Sequence, residues 1–266
     1  MFAYTFIVST VFIGSIFSNP IVSPGGDGIN YELLGGGIEG DMILPDGFDP
    51  KGEFNGKGVA IYGPRRWPNN IIPYDISAIT NAGHRTMIES AMAILANDVS
   101  TPIAGSTSRK PCVTFRPKIS TDQVFVRIQY GTGCSASVGY SSGAKTLTLQ
   151  NSGCFRSGII QHELIHVLGF YHEQSRPDRD LYITVNHNNI EIGKEHNFNK
   201  YTWGSTVLDQ KSPYDFGSIM HYGPTSFSAN GLPTITPKQA GATIGQRDKL
   251  SATDINEIRQ FYSCTI

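Results

Sequence analysis

Net charge is almost missing from this sequence: 21 Lys and Arg stand against 22 Asp and Glu in 266 residues. With neither sign in excess, nucleic-acid binding and electrostatic docking to a membrane surface find no support. Cysteine is scarce and one-sided. Cys112, Cys134, Cys154 and Cys264 are the only four, none precedes residue 112, and no two are spaced as Cys-x-x-Cys. That spacing argues against a thiolate zinc site, and it leaves the N-terminal third no thiol to contribute to any site. Asn-x-Ser/Thr sequons are absent, so N-glycosylation is not expected. No internal repeat is visible. Charge is missing altogether from residues 1–18, MFAYTFIVSTVFIGSIFS. This apolar run is short for a membrane span and is broken by Asn19-Pro20. It reads as a signal peptide, 1–18, on a secreted, extracellular chain without stable membrane insertion; a retained anchor is the alternative. In an exported chain four cysteines suggest two disulfides, with three connectivities open.

Glycine, at 29 residues, and proline, at 15, are by contrast plentiful. They concentrate in 19–57, where no helical or strand period persists, so this stretch is expected to be extended or docked and to add little core. From Gly58 the chain can bury surface. Met87, Ile88, Ala91, Met92, Ile94 and Leu95 follow a helical pattern across 80–97. Val124, Val126, Ile128 and Tyr130 mark a strand, and Leu147 and Leu149 alternate in another, KTLTLQ. Ser251 and Asp254 suit the start of a last helix carrying Ile255, Ile258 and Phe261.

The informative stretch is 162–174, HELIHVLGFYHEQ. Residues four apart share one helix face, so His162 and His166 point the same way and can chelate one ion. Glu163 lies at the rim of that site as a candidate general base. Two imidazoles underfill a zinc ion. Gly169 permits the positive φ that turns the chain out of the helix, which could return His172 as a third ligand. A core helix with three satisfied histidines is the plainer reading, but it leaves the placing of Glu163 and Gly169 unexplained. Residues 218–222, Ser-Ile-Met-His-Tyr, add a methionine turn in which Met220 would form a soft apolar floor under three histidines, as in metzincin peptidases.

These two motifs together resemble the astacin family of zinc endopeptidases. RWPNNIIPY (66–74), the SGC after Asn151, RPDRD (176–180), IGQRDKLSATDI (244–255) and the final FYSC extend the resemblance over nearly all of 58–266. It implies an α+β, zincin-like fold: an N-terminal subdomain with a twisted, mostly parallel sheet and two long helices, then an irregular C-terminal subdomain ending in a helix, with the cleft between them. It implies one zinc per chain on His162, His166 and His172, Glu163 as general base, and Tyr222 as a further ligand that swings to the oxyanion. Glu173 would contact the amino terminus freed by activation, and the disulfides would be Cys112–Cys264 and Cys134–Cys154. Residues 19–57 would be an inhibitory propeptide, with Asp41 of Ile-Glu-Gly-Asp blocking the zinc, although Ile38 stands where the family has Phe; Asp27 of Pro-Gly-Gly-Asp is the alternative. Trypsin-like cleavage at Lys57-Gly58 would start the peptidase domain, 58–266, although Val59 or Ala60 could also be first. Substrates would be proteins or peptides, bound along an edge strand near KTLTLQ, and the enzyme is expected to be a monomer. A zinc binder without catalysis and a purely structural disulfide-stapled domain are the competing readings; Glu163 opposes the first and the histidine spacing the second.

Overall fold

The computed structural model describes residues 29–44, 65–143, 145–203 and 206–264. The signal peptide, Asp27, the Lys57-Gly58 bond and the alternative first residues all lie outside them. Among the described residues no helix is long and apolar enough to cross a membrane.

The elements run β1 (Met42–Ile43), β2 (Ile71–Asp75), α1 (Ala82–Val99), β3 (Thr101–Pro102), β4 (Arg109–Lys110), β5 (Thr114–Pro117), β6 (Val126–Tyr130), β7 (Cys134–Ser137), β8 (Lys145–Leu149), α2 (Ser157–Leu168), β9 (Ile183–Val185), β10 (Ile235–Pro237) and α3 (Ala252–Phe261). Six strands form one sheet in the order β1-β7-β8-β6-β2-β5. All its pairings are parallel except β7 with β8. After α2 regular structure thins to the β9–β10 ribbon, short 3-10 turns and α3. This is the α+β architecture expected from the sequence.

Helix α1 starts where the Asn81 side chain accepts the His84 amide at 3.1 Å, satisfying a first-turn donor. It buries Ile88, Ala91, Met92, Leu95 and Val99. Met87 and Ile94, which the sequence pattern placed on that face, are 42% and 44% exposed. The guanidiniums of Arg259 and Arg109 donate to the carbonyls of Asp98, Val99 and Ser100, neutralising the negative end of α1. α3 begins with a capping box of Ser251 and Asp254.

Both disulfides join the pairs the resemblance implied, Cys112–Cys264 and Cys134–Cys154. They close separations of 152 and 20 residues. Chain-entropy reasoning makes each worth roughly 3–5 kcal/mol against the unfolded chain.

Two expectations need correcting. Residues 29–44 do contribute core: Tyr31 and Met42 are buried in the main apolar cluster, and Leu33 packs against the second cluster, around Ile183, Tyr222 and Ile235. The segment wedges between both halves because its few apolar residues are spaced to reach each, a pattern with no period to detect. KTLTLQ is also not an edge. β8 lies between β6 and β7, and its alternating Leu147 and Leu149 are fully buried. The strand next to the cleft is β7, and β1 covers its outer side, pairing Met42 with Ala136.

Candidate metal centre

Helix α2 carries the centre, and it is buried on every side from Gly158 to Leu168. Gly158 permits this, because a Cβ there would lie 1.8 Å from the Arg247 carbonyl. Its last turn closes on Gly169, at φ 106° and ψ 27°, whose N–H returns to the carbonyls of His166 and Ile165. The reversed chain brings His172 back. Its Nε2 lies 3.4 Å from that of His162.

Asp41 reaches into the same point from the N-terminal segment. Its carboxylate oxygens lie 3.2 Å from His162 Nε2, 3.6 Å from His166 Nε2 and 3.3 Å from His172 Nε2. The three histidines and Asp41 are at most 1% exposed. Each imidazole has an acceptor on its outer nitrogen: Nδ1 faces the Ile219 carbonyl at 2.9 Å for His162, the Phe170 carbonyl at 2.7 Å for His166, and Glu39 Oε2 at 2.8 Å for His172. If these Nδ1 atoms carry protons, the three Nε2 lone pairs all point inward, toward a carboxylate. Such a set repels itself unless a cation sits within it. His166 Nε2 and Asp41 Oδ1 are buried without a hydrogen-bond partner. A tetrahedral zinc ion with bonds of about 2.0–2.2 Å separates its ligand atoms by about 3.4 Å. The donor set and its spacing therefore fit zinc.

Glu163 stands beside this cluster with both carboxylate oxygens buried and unpaired. Burial raises its pKa well above the ordinary carboxylate range, and the carboxylates of Asp41 and Glu32 push it further. Met220 is buried in the turn below, and Asp254 fixes that turn by accepting from Ser218 Oγ at 2.6 Å and the Ile219 amide at 3.0 Å. Tyr222 is buried too, its amide donating to Gln174 Oε1 at 3.0 Å and its hydroxyl to the Glu39 carbonyl. Glu173 accepts from Arg176 at 3.2 Å and from the Asp215 amide at 2.8 Å. The structure thus gathers Asp41, His162, Glu163, His166, His172 and Tyr222 about one point, with Glu173 next in sequence to His172 and its amide donating to the Met220 carbonyl.

Several participants escaped the sequence reading. Glu39 lies inside the quoted Ile-Glu-Gly-Asp, yet only Asp41 drew attention there. Glu32 and Arg247 form a buried ion pair at 2.7 Å across 215 positions, and Arg247 also donates to the His221 carbonyl. His221 links Tyr214 Oη, at 2.7 Å, to the Tyr222 carbonyl, at 2.8 Å, and burial pushes its pKa down to about 3, so it bridges them as a neutral ring. Glu39, Arg247 and His221 all lie inside quoted motifs, IEGD, IGQRDKLSATDI and SIMHY, but none was given a role there; Glu32 lies in no motif.

A mixed sheet over a helix bearing two imidazoles, a third past a glycine turn, and a buried methionine turn below define a metzincin-type zinc peptidase domain. The family model for Astacin, a peptidase family, matches residues 60–263. Zinc metalloproteinase nas-15 of Caenorhabditis elegans is 42% identical over 200 residues, covering 75% of this chain and 33% of that protein. Low choriolytic enzyme of Oryzias latipes is 34% identical over 233 residues, covering 85% and 78%. Among solved structures, High choriolytic enzyme 1 of Oryzias latipes, a hatching enzyme zinc-protease, superimposes with a TM-score of 0.65 at 37% identity over 75% of this chain and 94% of that one. The chain belongs to the astacin family. It spans only 33% to 41% of the length of the first curated relatives it matches.

Proposed function

We propose that this chain is a secreted zinc-dependent endopeptidase made as a zymogen, with signal peptide 1–18, inhibitory pro-segment 19–57 and peptidase domain 58–266. The observation that carries the reading is the convergence of three imidazole nitrogens and the Asp41 carboxylate beside an unpaired Glu163. His162, His166 and His172 would hold the zinc. The ion supplies a Lewis acid that makes water nucleophilic near neutral pH and polarises a peptide carbonyl. Glu163 accepts a proton from the attacking water and passes it to the departing amine nitrogen. Tyr222, released from the Glu39 carbonyl, donates to the developing oxyanion. Met220 packs beneath the site.

Latency follows from the segment that carries Asp41. Its carboxylate would hold the metal together with the three imidazoles, leaving no room there for water or substrate, and β1 lies along the strand edge a substrate needs. Cleavage near Lys57-Gly58 by a trypsin-like activating protease frees that segment, and Glu173 then receives the new amino terminus. Protein or peptide substrates add their strand to β7. Two disulfides and the apolar leader support an oxidising, extracellular destination.

The test is hydrolysis of gelatin or a quenched peptide by the full chain before and after cleavage near Gly58. Activity should appear on cleavage, disappear with chelator, and fall by about 10²–10⁴ in Glu163→Gln. One zinc per chain with no hydrolysis over a broad peptide panel would leave a zinc-binding protein without catalysis.

A further inference from the structure

The outer nitrogens of the three histidines are not held alike. His162 and His166 give theirs to the carbonyls of Ile219 and Phe170, which belong to the peptidase domain itself. His172 gives its own to a carboxylate, Glu39 Oε2 at 2.8 Å, on the segment that also carries Asp41. The other oxygen of that carboxylate accepts from Ser175 Oγ at 2.7 Å, and the Glu39 carbonyl accepts from Tyr222 Oη. Glu39 is 1% exposed. Its backbone sits at φ 53°, followed by Gly40 at φ 93°. A non-glycine residue there is strained. The same bend sends the carboxylates of both residue 39 and residue 41 into the histidine cluster.

The geometry points to Glu39 as an outer support of the metal: a carboxylate on loan from the N-terminal segment that orients His172 and strengthens its grip on zinc. An imidazole that donates to a carboxylate is held in the tautomer that presents Nε2 and becomes a more basic ligand. A carboxylate does this more strongly than the carbonyls serving His162 and His166, because a charged acceptor makes the stronger hydrogen bond. The uncut chain is therefore the tight-binding form toward zinc, and release of the segment relaxes the third ligand along with removing Asp41. The segment acts as a metal-loading brace as well as a block. This rests on the reading that His162, His166 and His172 hold zinc; it does not depend on Glu163 or on hydrolysis.

The test uses the full, uncut chain and zinc transfer to a chromophoric chelator, with the visible spectrum of the cobalt form as a second readout. Glu39→Gln keeps the shape and loses the charge, so a packing role would survive it. It should release zinc about tenfold more readily, and Glu39→Ala should approach a hundredfold, the range for loss of such a support. The cobalt bands should shift in both. Glu39→Gly suits the left-handed backbone and also lacks the carboxylate, so it decides the matter if the other variants fail to fold. It too should lose zinc readily. Zinc retained at the wild-type rate in Glu39→Gln, or in Glu39→Gly where that variant decides, overturns the inference. If wild type binds no zinc at one per chain, or His172→Ala keeps it as well as wild type, the metal site itself has been misread, which is a separate failure.

Discussion

Two buried charge clusters flank the end of α2, and they are built on opposite terms. In the first, Glu32, Glu39 and Asp41 arrive from the N-terminal segment and meet Arg247 and the histidines across sequence distances of 121 to 215 positions. In the second, Glu173, Arg176 and Asp178 lie close in sequence, Asp215 is 42 positions on from Glu173, and Glu257 and Ser251 come from the C-terminal part of the same domain. One cut between 44 and 65 would let the first cluster come apart, while nothing short of unfolding separates the second. Buried ions need partners in both cases. The difference is that the first has partners it can lose, which suits control, and the second has partners it keeps, which suits a fixed frame for His172 and the turn at Met220.

The sharpest way to break this contrast is Asp41→Ala in the uncut chain. Truncating one member of a desolvated charge pair typically costs 2–5 kcal/mol, so the block should weaken by about 30- to 4,000-fold. Peptide hydrolysis by the uncut variant should rise toward that of the cut enzyme, while the cut forms of variant and wild type match. An uncut variant as silent as wild type would mean that the β1–β7 pairing alone maintains latency.

Glu32→Ala comes next. It leaves Arg247 buried with only carbonyl acceptors, and stranding one partner of such a pair costs about 3–5 kcal/mol. The loss should appear as a lower unfolding midpoint of the uncut chain and vanish once the segment has been cut and removed. Arg176→Met should lower the midpoint in both forms, because Asp178 loses its partner in each, and by less in the cut form, where the new amino terminus reaches Glu173. Equal effects of the two substitutions in the cut form would erase the distinction between borrowed and permanent partners.

How far these clusters could be read from sequence follows the same division. His162, Glu163, His166, Gly169 and His172 were legible because helix geometry turns their spacing into a shared face and a left-handed stop. The capping box at Ser251 and Asp254 was legible for a similar local reason. Asp254's second task, holding the Ile219 amide, was not, since it spans 35 positions. The pairing of Glu32 with Arg247 was not legible: Arg247 lies in the quoted IGQRDKLSATDI, but its partner is an isolated acid in a glycine-rich stretch 215 positions away. The edge placed near KTLTLQ came with the resemblance, since alternation predicts a strand and says nothing of its place in the sheet. Its intervening threonines are only partly buried, while Lys145, Leu147 and Leu149 are buried, a pattern that an interior strand shares with an edge.

A subtler effect separates the clusters by pH. Burial raises the Glu257 pKa from 4.5 to about 7, with Asp254 and Asp215 adding to the rise and Ser212 and Arg176 opposing it. A carboxyl whose folded pKa lies above its unfolded one binds more protons when folded. Its stabilising contribution is full below about pH 4.5 and is lost as pH climbs through about 7. A shift of that size corresponds to about 3 kcal/mol. Glu257→Gln has no proton to lose, so its stability relative to wild type should improve as pH rises from 4.5 to 7 and then level off. Chemical unfolding of wild type and variant at several pH values measures this directly. Because Glu257 belongs to the permanent cluster, the difference should be the same in cut and uncut chains; a difference confined to the uncut chain would mean that the segment carrying Asp41 also bears on the second cluster.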